Sequence, residues 1–212
     1  MKRLFLITGI LVLFCACNNT IPKDYVEHTI DLEHNLGQLT ISLPPEFDTV
    51  YSWTRWQGDP CSVQVLYRFA NKKYSLPQEQ GTYYNFVADS LYQLTIVQFK
   101  YQGECGDTTT KKIDNELLER FVERYMECYL DIDIFLKEIR TIHKRDFIVI
   151  GSKYTRYHSE EKYETELSLY TEVNGYSVWL EFVCMAEDCT DFMNRIEKSL
   201  HSIKITAPTK NE

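Results

Sequence analysis

The stretch ETELSLYTEVNGYSVWLEFVC, residues 164 to 184, sets two runs of alternating apolar and polar residues on either side of Asn174-Gly175. An Asn-Gly pair suits a type I′ turn, which needs positive φ at both central residues, so the two runs read as a hairpin. The turn fixes the register. Val173 faces Tyr176, Thr171 faces Val178, Leu169 faces Leu180 and Leu167 faces Phe182, giving one apolar face. The opposite face pairs Glu172 with Ser177, Tyr170 with Trp179 and Ser168 with Glu181, and reads as mostly directed to solvent apart from one aromatic pair.

After the hairpin, Phe192, Met193, Ile196, Leu200 and Ile203 recur at helical spacing, and IKITA ends the pattern as a short strand. Before it, IDIFLKEIRTI and FIVIGSKYT read as two strands parted by the polar HKRD. Upstream of those, Leu117, Leu118, Phe121, Val122, Tyr125 and Tyr129 share one face of a helix. Asp114 is placed to cap it, and Ile113 with Leu118 to staple its first turn. LGQLTISLPPEF alternates and stops at Pro44-Pro45, an opening strand. VYSWTRW and SVQVLYRF have the same period around Gly58-Asp59-Pro60, a second hairpin, and LYQLTIVQFKY is a further strand rich in β-branched and aromatic residues.

This order of elements resembles the Mog1/PsbP-like domains, through LGQLTISLPPEF, LLERFVERYMECYL, ELSLYTEVNGYSVWLEF and DFMNRIEKSLHSIKI. The resemblance implies an α+β fold, an antiparallel β-sheet with flanking amphipathic helices, over a single domain at residues 36–206 with a tail at 207–212. No catalytic motif defines that family, so no residue role is carried over. Its members' roles are mostly in binding or assembly, which sets the expectation for this chain.

The N-terminus reads as an address. Lys2 and Arg3 precede an apolar run from Leu4 to Phe14, too short to span a bilayer, which needs about 20 apolar residues. Phe14-Cys15-Ala16-Cys17 resembles a bacterial lipobox. Cys17 has the small Ala16 before it, so the resemblance implies a signal peptide at residues 1–16, diacylation of Cys17 and a lipid-anchored tether at residues 17–35. Asn18 in place of an aspartate points to outer-membrane attachment, on the periplasmic or surface face. The chain also resembles lipoproteins of the Bacteroides group, whose O-glycosylation pattern of Asp, then Ser or Thr, then a small or aliphatic residue recurs at Thr49, Ser90 and Thr108.

Without residues 1–16 the chain has 196 residues, enough for one sizeable core. Its net charge of −8 becomes −10 once Lys2 and Arg3 leave, and its longest runs of basic residues are pairs such as Lys72-Lys73 and Lys111-Lys112. A nucleic-acid partner is excluded on that ground, because counterion release needs a concentrated basic face. Five cysteines remain beyond the lipid site. In an oxidising compartment Cys184 and Cys189 are the first expected bridge, Cys61 and Cys105 the second, while Cys128 reads as a small core residue.

Enzyme templates are missing: there is neither G-x-S-x-G nor H-E-x-x-H, no CxxC pair, and no catalytic residue, metal ligand set or cofactor is assigned. His28 and His34 read as exposed tether residues, Asp131 and Asp133 as a shared strand face, and Glu160, Glu161, Glu164 and Glu166 as a solvated loop. The stretch from Asn71 to Ser90 is long for an ordered connection and unusually aromatic. Tyr83, Tyr84 and Phe86 within it are the candidate binding residues. Two functions follow. The first is a non-catalytic, lipid-anchored envelope module that holds a protein or small ligand, one version being an immunity-type lipoprotein. The second is an envelope hydrolase that uses carboxylate or Cys and His residues.

Overall fold

A computed structural model describes residues 20–56, 63–73, 92–99, 112–129, 131–155 and 163–208. Among them the chain forms strands β1 (Val26–Leu32), β2 (Gly37–Leu43), β3 (Thr49–Trp56), β4 (Val63–Ala70) and β5 (Tyr92–Phe99), then helix α1 (Asn115–Cys128). Strands β6 (Asp133–Ile142), β7 (Arg145–Thr155), β8 (Tyr163–Val173) and β9 (Tyr176–Cys184) follow, then helix α2 (Thr190–Leu200) and strand β10 (Lys204–Thr206). The protein is therefore mainly β rather than evenly α+β. Seven strands pair in the order β3-β4-β5-β9-β8-β7-β6, and β1-β2-β10 make a second sheet.

The β8–β9 hairpin has the register that Asn174-Gly175 dictates, from Val173 opposite Tyr176 to Leu167 opposite Phe182. Both turn residues take positive φ, 50° and 78°. The β6–β7 connection does the same with His143 and Lys144, at 45° and 69°, where the sequence shows only a polar break. One face of the large sheet packs Leu94, Ile96, Phe147, Leu169, Leu180 and Phe182 against Leu39, Ile41 and Leu43 of β2 and Phe192, Ile196 and Leu200 of α2. Each such side chain contributes about 1.5–3 kcal/mol when fully buried, so this layer accounts for most of the fold's cohesion. Phe192 joins α2 to the large sheet, stacking on Tyr92 of β5 with ring centroids 4.7 Å apart. Cys184 and Cys189 form a disulfide between the end of β9 and the start of α2, with Cα atoms 6.0 Å apart. Loop-closure entropy assigns roughly 2 kcal/mol to so short a ring.

Two corrections concern the N-terminal part. Val26–Leu32 is a strand paired with β2 along its whole length, so the folded unit begins inside the segment read as tether, and LGQLTISL is the second strand rather than the first. Ile30 and Leu32 are buried, and their alternation with Thr29 and Asp31 is a strand pattern that the flanking histidines and acids obscure. His28, taken for an exposed tether residue, lies on β1 with its ring edge-on to Phe69 at 5.0 Å, and burial lowers its pKa. His34 is exposed, as expected, and stacks on Tyr176 at 4.8 Å.

Gly37 opens β2 at φ 99°, and a methyl group there would collide with the Thr206 carbonyl oxygen of β10. Gly37→Ala is expected to cost about 2–3 kcal/mol from backbone strain and loss of the β10 pairing. A thermal melt measures this, and an unchanged melting temperature would refute the close approach of β10 to β2.

Candidate functional site

Helix α1 lies over the second face of the large sheet. Asp114 starts it, accepting a 3.0 Å hydrogen bond from the Leu117 amide, and Leu117, Leu118, Val122 and Tyr125 pack on Ile148, Ile150 and Tyr170. The β8 face read as solvent-directed is thus buried. Glu164, Glu166, Ser168, Tyr170 and Glu172 are all on strand β8 and at most 8% exposed, so Glu164 and Glu166 are neither loop residues nor solvated. Their burial is tolerable because tyrosine and serine hydroxyls from α1, β7 and β8 bond to both oxygens of Glu166, to Glu172 Oε1 and to Glu164 Oε2.

Glu166 is the centre of this cluster. Its Oε1 accepts from the Tyr125 hydroxyl at 3.0 Å and from Ser168 Oγ, and its Oε2 accepts from the Tyr154 hydroxyl at 2.7 Å. Trp179 Nε1 donates to Ser168 Oγ at 3.2 Å. The Tyr154 hydroxyl also lies 3.0 Å from Glu164 Oε2. It has a single proton, so it donates to one of the two carboxylate oxygens at a time. Tyr129 stacks on Tyr154 at 4.1 Å and closes the cluster beneath α1. Burial pushes the phenols of Tyr125, Tyr129 and Tyr154 well above the ordinary range, and the glutamate charges add to the rise.

The cluster continues across the sheet. Glu181 on β9 sits opposite Ser168 of β8 and Thr95 of β5, and Thr95 accepts a 3.1 Å hydrogen bond from Arg68 Nε on β4. Burial pushes the Glu181 carboxyl up to about 8, Glu166 and Glu164 push the same way, and Arg68 opposes them. Glu181 is therefore mostly protonated at neutral pH while keeping part of its surface open. Among the described residues no group of histidine, cysteine or acidic side chains is arranged to hold a metal ion.

A second feature lies at the sheet's free edge. β6 is the last strand, and Phe135 is the extra residue where its register shifts between Ile134 and Leu136. The ring occupies the space a side chain at Gly151 would need. Between this edge and α1 runs an open groove of about 240 Å³, lined by Val122, Met126, Ile132, Ile134, Phe135 and Lys137 among others. Met126 is 62% and Phe135 52% exposed. The sequence signal for the groove was slight, a methionine one step off the apolar helix face and one phenylalanine out of phase in a strand.

The other candidate residues fall as follows. Thr49 opens β3, and its hydroxyl donates to Asp48 Oδ1 at 3.0 Å. Asp131 is a turn residue at φ 52° and Asp133 the first residue of β6, so they do not share a strand face, although both are exposed. Cys17, Cys61, Cys105, Tyr83, Tyr84, Phe86, Ser90, Thr108, Glu160 and Glu161 lie outside the described residues. Among the described residues no helix is long and apolar enough to cross a membrane.

No protein-family model matches the chain, and no curated protein matches it. Solved structures similar to it include the cyanobacterial PsbP, CyanoP, of Synechocystis, at 12% identity and TM-score 0.48 over 91% of this chain and 99% of that one. PA94 of Pseudomonas aeruginosa, a protein of unknown function, is 9% identical with TM-score 0.43 over 86% and 99% of the two chains. LpqN, involved in cell envelope biogenesis of Mycobacterium tuberculosis, is 13% identical with TM-score 0.39 over 86% and 91%. All three TM-scores are below 0.5, so what those proteins do is not transferred to this one.

Proposed function

We propose that the chain is a lipid-anchored, non-catalytic binding module of a bacterial cell envelope, a lipoprotein of the Bacteroides-group type with a Mog1/PsbP-like order of elements. Cys17 supplies the anchor, in the outer membrane, and the domain begins nine residues later at Val26. The observation that carries the binding role is the groove between α1 and β6, where two of the four exposed large apolar side chains among the described residues, Met126 and Phe135, stand at the sheet's edge. Grouped apolar exposure of this kind marks a contact surface more often than chance exposure does. The interior acids support the same reading, since Glu166 is already engaged by three hydroxyl donors.

Two measurements test the proposal. Cys17→Ala is expected to release the protein from the membrane fraction while Cys15→Ala leaves it bound, and equal retention would remove the anchor. A photo-crosslinking amino acid placed at Phe135 in cells is expected to give a discrete adduct that the same group at the exposed Val50 does not, and identical patterns would remove the binding role. The hydrolase reading draws on Glu181, whose raised carboxyl suits a general acid. It requires that Glu181→Gln abolish an activity while the crosslink at Phe135 stays absent.

A further inference from the structure

The charges around the groove are sorted by sign. At 100° per residue, with Val122 and Met126 lining the groove, Glu119 and Glu123 fall on the groove side of α1, Glu116 and Glu127 near its outward crest, and Arg120 and Arg124 on the far flank. Lys137 fixes this orientation, bonding both carboxylate oxygens of Glu119 at 3.1 Å from β6. That contact also offsets the groove's cation. Asp131 and Asp133, both exposed, bracket the groove-lining Ile132 where β6 begins. The result is an apolar floor with an acidic rim, open at the edge of the sheet.

We propose that this groove docks a basic segment of a partner protein, which places one or two aliphatic side chains between Met126 and Phe135 and sets Lys or Arg against Glu123 and the Asp131–Asp133 turn. The inference rests on the binding-module reading and names the partner's chemistry. Volume sets the number of anchors, since about 240 Å³ holds no more than a pair of aliphatic side chains. Charge sets the flanks. An acidic rim attracts cationic residues and speeds their encounter, whereas it repels anionic lipid and a second copy of a chain with net charge −8. Methionine suits such a site, because its unbranched thioether adapts to differing anchors. The bulge at Phe135 interrupts the regular ladder, so the side-chain anchors rather than an added strand hold the segment.

The test uses the full chain and a fluorescein-labelled dodecapeptide of alternating Leu and Lys, followed by anisotropy. Binding is expected to weaken at least roughly tenfold in Met126→Ser with Phe135→Ser, and roughly threefold to tenfold in Glu123→Gln with Asp133→Asn, the second loss vanishing at high salt. Both pairs are solvent-facing, so unchanged melting curves are expected to accompany the losses. Equal binding of a peptide with Leu replaced by Ser, or equal binding to all variants, overturns the proposal. So does a concentration-dependent dimer in sedimentation that Phe135→Ser abolishes, because the groove then belongs to a second copy. A cellular crosslink at Phe135 without peptide binding overturns the basic-segment chemistry and leaves the binding module standing.

Discussion

Glu166→Ala is expected to lower the free energy of unfolding by about 3 kcal/mol, although an alanine at a solvated glutamate position would change it by no more than about 0.5 kcal/mol. The substitution strips a partner from Tyr125, Tyr154 and Ser168 at once. Each buried hydroxyl left without a partner costs about 1–3 kcal/mol. Part of that is recovered as Tyr125 turns to Ser168, 2.9 Å away, and Tyr154 to Glu164. Glu166→Gln keeps the shape and an acceptor oxygen and should lose less than half as much. Urea unfolding followed by tryptophan fluorescence reads the difference, since Trp179 donates to Ser168 within the same cluster. A wild-type midpoint for Glu166→Ala would mean that α1 does not cover the sheet.

Stability is expected to fall as pH rises from the range of a free glutamate to about 8, the opposite of the usual carboxylate. The Glu181 carboxyl rises to about 8 through burial first, then through Glu166 and Glu164, against the pull of Arg68. Between its unfolded value near 4.5 and its folded value, the folded protein holds a proton that the unfolded chain has released. Unfolding therefore becomes easier with each unit of pH in that window, and the contribution is complete below it and gone above it. Partial solvent access discounts the full shift to something on the order of 2–4 kcal/mol. The tyrosines facing the cluster from α1 and β7, Tyr125, Tyr129 and Tyr154, also have raised values, so they add a further decline above the ordinary phenol range. Melting temperatures at pH 6 and pH 9 measure the effect, and Glu181→Gln should flatten the slope. A curve that rises across this range would contradict a protonated Glu181.

These expectations could not have come from the sequence, for a physical reason. Alternation identifies a strand and its two faces, and Asn174-Gly175 fixes which residues oppose each other, so the β8–β9 register was legible in full. Alternation does not say whether a polar face meets water. Glu166 and Ser168 read as solvated because the hydroxyls that satisfy them come from Tyr125 and Tyr154, 41 and 12 residues away from Glu166. The available hint was compositional, three tyrosines at 125, 129 and 154 with no apolar role assigned to their hydroxyls. β1 was missed for a related reason: His28 and two acids interrupt VEHTIDL, and its partner β2 was legible alone. α1 was legible down to its Asp114 cap because capping and amphipathic spacing are local. The groove was not, since it depends on where that helix lies along the edge of a sheet.

The placement of β10 has a consequence for the order of events in synthesis. Lys204, Ile205 and Thr206 lie beside Thr40, Leu39 and Gln38, so the last of the described strands completes a sheet whose other two strands are the first described. Ser202 tightens the link, accepting from the Ser42 amide at 2.7 Å. As the domain is made from β1 onward, the small sheet therefore stays two-stranded until the β10 segment follows, and an isolated two-stranded hairpin is marginal in water. The small sheet is thus sealed by β10 only after every element between β2 and β10 has been made.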